Sequence, residues 1–136
     1  MALYFSNTTA NAMLDVIATR VDAGSGPGKI NVYSGTMPIN AETALSGNTL
    51  LAELICSDPS AAPATGRTLT LNPITQDSSA NASGIASFFR LVDSTGAVVI
   101  QGDVTVSGGG GALEMNTTNI VAGGPIQITA SSYSLA

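Results

Sequence analysis

From residue 29 onward, apolar side chains recur at every second position, a period that only extended strands can convert into one buried face. Ile30 and Val32 alternate with Asn31 and Tyr33. Leu50, Ala52, Leu54 and Cys56 alternate with Leu51, Glu53 and Ile55, and Leu69 and Leu71 alternate with Thr68 and Thr70. Residues 85–93 read as one central strand, with Ile85, Ser87, Phe89 and Leu91 on one side and Ala86, Phe88, Arg90 and Val92 on the other. The polar break Asp93-Ser-Thr-Gly96 joins it to residues 97–100 as a hairpin. Further runs at 103–106, 113–115 and 125–135 bring the total to about seven or eight strands. The expected fold is therefore mainly β, a β-sandwich or jelly-roll-like barrel.

The exception lies at the start. Ala10, Met13, Leu14, Ile17 and Val21 recur at helical spacing and define one amphipathic helix over about 7–21, with Ser6 or Asn7 as its cap. The stretch Asp22-Ala-Gly-Ser-Gly-Pro-Gly28 ends it, because glycine favours helix ends and Pro27 cannot continue a helix. A chain of 136 residues suits one hydrophobic core, so residues 1–136 are read as a single domain with a β-rich body from about 29.

Few of these residues can do chemistry. The chain has no His, one Cys, four basic and nine acidic residues, and a net charge of −5. Arg20, Lys29, Arg67 and Arg90 are scattered singly, which leaves no basic stripe for nucleic acid or anionic lipid. No apolar run approaches a membrane span, no secretion signal is evident, and a lone cysteine makes no intrachain disulfide, so synthesis in a cytoplasm is expected. The segment Gly24-Ser-Gly-Pro-Gly-Lys29 lacks the first glycine and the final Ser or Thr of a phosphate loop, and it runs from helix to strand where a phosphate site needs the reverse. Asp93-Ser-Thr-Gly96 has one residue too many for the aspartic-protease motif and no second copy. The acidic residues are too dispersed for a calcium loop, and Cys56, on an apolar strand without a basic neighbour, reads as an inert thiol. No enzyme activity, cofactor or metal is expected.

With only 10% of its residues charged, the chain must expose largely Ser, Thr, Asn, Gly and Ala, a composition that favours repeated contacts with neighbours over free diffusion. The less regular segments 34–48 and 58–67, with both termini, are the candidate contact arms. Met37, Pro38, Ile39, Pro59, Ala61, Pro63, Tyr133 and Leu135 are the candidate contact residues. On this reading, deletion of residues 61–64 weakens attachment to a partner and leaves the fold intact. Tyr33 and Tyr133 form the one aromatic pair available to a carbohydrate-binding or host-surface-binding module, the alternative to assembly.

The segments Asn11-Ala-Met-Leu-Asp-Val-Ile17, Lys29-Ile-Asn-Val-Tyr-Ser-Gly-Thr-Met-Pro38, Leu50-Leu-Ala-Glu-Leu54, Ser87-Phe-Phe-Arg-Leu-Val-Asp-Ser-Thr-Gly-Ala97 and Gln101-Gly-Asp-Val104 together resemble a group of small structural proteins of tailed bacteriophages and prophages. The likeness extends over nearly the whole chain. It implies a virion component made in the host cytoplasm, in the first instance a capsid decoration or cement protein bridging major capsid subunits. A tail, neck or baseplate component is the alternative, and homo-oligomers are expected in either case. No catalytic residue is implied.

Overall fold

The computed structural model of the chain describes residues 1–135. Helix α1 spans Asn7–Val21, and the Ser6 hydroxyl caps it by accepting from the Thr9 N–H at 3.1 Å. Ala10, Leu14 and Val21 are buried and Ile17 packs against the core, but Met13 is 43% exposed because it falls off the edge of that stripe. Immediately after the helix the backbone passes so close to its neighbours that Gly28 has no room for a side chain. A Cβ there would lie 2.4 Å from Val21 Cγ1 and 2.6 Å from the Val92 carbonyl oxygen.

Ten short strands follow: β1 Lys29–Tyr33, β2 Leu50–Ile55, β3 Thr68–Thr70, β4 Gly84–Ile85, β5 Phe88–Val92, β6 Val98–Val106, β7 Leu113–Met115, β8 Asn119–Ile120, β9 Ile128–Ala130 and β10 Ser132–Ser134. Six of them make one curled, mixed half-barrel sheet in the order β2-β1-β5-β6-β7-β9. Every neighbouring pair in it is antiparallel except the parallel pair β6 and β7. Two small sheets, β3 with β10 and β4 with β8, complete the body. The mainly β chain with one N-terminal helix is as read from the periodicity. The strands are more numerous than expected, and they are divided among one large sheet and two ribbons.

Three local features account for the difference. Residues 85–93 are not one strand: the Ala86 N–H bonds to Thr118 O beside β8, whereas the Ser87 N–H bonds to Tyr33 O beside β1, so the chain changes partner between β4 and β5. The C-terminal run also divides, because β9 pairs with β7 while β10 crosses to β3, with buried Ser131 at the corner accepting from the Leu71 N–H. Conversely, residues 97–100 and 103–106 are one strand, β6, whose first part pairs with β5 and whose last part pairs with β7. Gly102 makes this continuity possible, since a Cβ there would meet Ala112 Cβ at 2.9 Å and the Phe89 ring at 3.0 Å.

The core lies between the concave face of the sheet, α1 and the β3–β10 ribbon. Leu14, Ile30, Leu54, Leu69, Phe89, Leu91, Leu113 and Met115 belong to one buried cluster. Strand β5 is central, as expected, and all five of its residues are buried. The 93–96 turn is a hairpin connection in which Asp93 Oδ1 accepts from the Thr95 N–H, the Thr95 hydroxyl and the Ala97 N–H. Those hydrogen bonds, the Thr95 hydroxyl foremost, hold the Asp93 carboxyl below its usual value.

Candidate partner-binding surface

The two irregular segments expected to reach outward behave differently. Segment 58–67 is sewn to the helix. Asn11 and Asp15 on α1 and Asp22 just past its end each offer a side-chain oxygen that accepts a backbone N–H from the segment. Asp22 Oδ1 takes that of Ser60 at 2.9 Å, Asp15 Oδ1 that of Ala64 at 2.7 Å, and Asn11 Oδ1 that of Arg67 at 2.9 Å. These acceptors satisfy amides that no strand pairing reaches, and the carboxylates make the bonds charge-assisted. Ala61 and Ala64 are buried in the core cluster, and Ala61 also bridges to Leu71. Asp58, Pro59, Ala62, Pro63, Thr65 and Gly66 remain exposed, whereas Ala61 packs inward against the core.

Segment 34–48 lies over the outer face of the sheet. Arg90, 6% exposed in the middle of β5, donates through Nε to Gln101 Oε1 at 3.1 Å and through Nη2 to the Thr43 carbonyl. Gln101 in turn donates to the Pro38 carbonyl at 2.7 Å, while the Asn48 amide holds the carbonyls of Ser34 and Thr36, each at 3.0 Å. Asn40 Oδ1 closes the loop's internal turn on the N–H groups of Glu42 and Thr43. The loop's carbonyls are thereby turned inward and its apolar side chains outward. Met37 and Leu45 are partly exposed and Ile39 is 91% exposed. A shallow groove of about 530 Å³ opens among Thr36, Met37, Pro38, Ile39, Thr43 and Ala44, with no charged side chain in its lining. Of the candidate residues, Met37, Pro38 and Ile39 are thus brought together on one surface. The bracing pair Arg90 and Gln101 was not singled out from the sequence, although an arginine between Phe89 and Leu91 in an apolar run is a signal that something polar must meet it.

Segments near the two ends are tied together through Arg67. Arg67 donates from Nε to Leu135 O at 3.1 Å and from Nη1 to Phe5 O at 2.8 Å and Asn7 Oδ1 at 3.3 Å, and its carbonyl accepts the Leu135 N–H. Leu135 packs against the core. Tyr133 is likewise internal: its ring stacks on Phe89 with centroids 6.3 Å apart, and its hydroxyl pairs with Ser131. Tyr33 is buried against Phe88 at 5.3 Å on the opposite face of the sheet. The two tyrosines therefore form no exposed platform. The most exposed aromatic among the described residues is Tyr4, at 90%, in the short segment that precedes Phe5 and also carries exposed Met1 and Leu3.

Among the described residues no group of three or more Cys, Asp or Glu side chains could hold a metal, and no helix is long and apolar enough to cross a membrane. Cys56 is buried at the end of β2, where desolvation first and the Asp22 charge second push its thiol from 9.0 up to about 11. Burial pushes Tyr133 up to about 12 in spite of its bond to Ser131. Cys56 is accordingly expected to resist alkylation in the native protein at pH 8 and to react fully once the chain is unfolded, as mass spectrometry after iodoacetamide treatment would record. The sign for stability follows from the raised value. Burial of the neutral thiol stabilises the fold fully below pH 9, and this contribution is lost as pH rises towards 11. Urea unfolding across that window is expected to show a decline of roughly 2 kcal/mol attributable to this group, which Cys56→Ala removes.

No family model, no curated protein and no solved structure matches this chain.

Proposed function

We propose that this chain is a non-enzymatic structural component of a tailed-phage or prophage virion, a capsid decoration or cement protein that bridges subunits of the major capsid protein. The observation that carries the reading is the braced loop 34–48, which presents Met37, Pro38 and Ile39 along a groove with no charged side chain in its lining instead of folding them inward. Side chains fixed in advance lose little entropy on docking, so a modest apolar patch suffices for each contact. A particle offers such a patch many times over, and a subunit that engages two neighbouring capsomers gains through multivalency. In this reading the curled sheet with its two ribbons serves as the sandwich- or jelly-roll-like body that carries the contact loop. The resemblance of the chain to small phage structural proteins supports the setting.

Quantitative mass spectrometry of purified virions tests the proposal by counting this chain against the major capsid protein. A near-stoichiometric ratio is the expected result. A few to a few tens of copies per particle would move the protein to the tail, neck or baseplate, and absence from the particle would overturn the virion role.

A further inference from the structure

We propose that the groove of loop 34–48 receives the N-terminal arm, residues 1–4, of a second copy of this chain. The inference rests on the reading of that loop as a contact surface and names its occupant. Ahead of Phe5, whose carbonyl is fixed by Arg67, the chain is outside any helix or strand and carries Met1, Leu3 and Tyr4 with their side chains in solvent. Such a segment has a rigid root and extends about 13 Å beyond it when fully stretched. It is an apolar peptide without an apolar surface of its own, and the groove at Met37, Pro38 and Ile39 is an apolar surface without a peptide.

Charge favours a thin, uncharged joint between two copies over a broad contact. At −5 each body repels another of its kind, and broad contact would bring acidic faces within the roughly 8–10 Å over which charges are felt in physiological salt. A thin arm avoids this, because neither residues 1–14 nor the groove lining contains a charged side chain. Two such joints in reciprocal exchange, each covering about 400 Å² of arm and a like area of groove, reach the roughly 1,600 Å² of a standard specific interface.

The test uses the full chain and two variants whose altered side chains are exposed and therefore leave the fold unchanged, which circular dichroism and a thermal melt verify. Leu3→Asp with Tyr4→Asp disables the arm, and Ile39→Asp disables the groove. Sedimentation velocity over micromolar concentrations is expected to show self-association of the parent and at least tenfold weaker association of each variant alone. Mixed together, the two variants supply one intact arm and one intact groove. With a benzophenone amino acid in place of Tyr4 on the Ile39→Asp chain and nitrogen-15 in the other, photolysis is expected to cross-link position 4 to residues 36–48 of the labelled chain. A parent that stays monomeric, association insensitive to either variant, failure of the mixed pair to cross-link, or a cross-link within one chain would each overturn the proposal. Because these readings are made in solution, they stand apart from the copy count on virions, so either idea can fail without the other.

Discussion

Removal of residues 61–64 is expected to abolish cooperative folding, not merely to trim a contact arm. The segment contributes buried Ala61 and Ala64 to the core, the Ala61–Leu71 bridge, and the amide that Asp15 holds at 2.7 Å. Joining Ser60 directly to Thr65 would also drag on the flanking bonds, Ser60 N–H to Asp22 and Arg67 N–H to Asn11. Each bond to a carboxylate is worth about 1.5–3 kcal/mol and leaves an unsatisfied group when broken. With the lost burial the total is on the order of 5 kcal/mol, which rivals the whole stability of a small domain. Urea denaturation followed by circular dichroism is the measurement, and the deleted chain should lack a cooperative transition at 25 °C. Ala62→Ser, at an exposed position of the same segment, should stay within about 0.5 kcal/mol of the parent. A deletion variant that melts like the parent would show that the helix does not need this cover.

Segment 58–67 marks the point at which the sequence ceased to be informative. Hydrophobic period reports which side chains seek the core, and it located α1, the buried faces of β1 and β3, and the central place of β5. It carries no information on where backbone amides find their acceptors. Asp15 and Asp22 therefore looked like dispersed surface charges, although they are the residues that fix the loop. Period also fails at a register shift. Val32 pairs with Ala52 and Tyr33 with Leu50, so Leu51 is an extra residue in β2, and it enters the core beside Ala52 where strict alternation sends it to the other face. Of the candidate surface, Met37, Pro38 and Ile39 were legible because apolar residues next to proline in a strandless segment have few ways to be buried. Tyr133 and Leu135 instead pack against the core, Tyr133 in β10 and Leu135 just after it, because the partner strand, β3, lies more than sixty residues earlier in the chain. Nothing local announces such a pairing.

Arg67→Ala is the substitution expected to show how far the ends of the chain depend on one side chain. The guanidinium gathers the carbonyls of Phe5 and Leu135 and the Asn7 side chain into one cluster, so its loss releases the root of the N-terminal arm, the first turn of α1 and the end of β10 together. Two charge-assisted bonds to carbonyls that are then left short of a donor make a cost of about 3 kcal/mol reasonable, with a fall in melting temperature of more than 10 °C for a domain of this size. The backbone supplies an internal control. Arg67 adopts φ 64°, a left-handed conformation that costs a residue with a Cβ about 1 kcal/mol relative to glycine. Arg67→Gly should therefore be less damaging than Arg67→Ala by roughly that amount, because it loses the same guanidinium and relieves the strain. Thermal melts of the two variants beside the parent decide the matter. Equal losses would mean that the strained backbone contributes nothing, and no loss in either would mean that the ends are held by packing alone. If the clamp does govern the arm, amide hydrogen exchange in residues 5–10 and 132–135 should accelerate in both variants, while β5, at the centre of the sheet, stays protected until global unfolding.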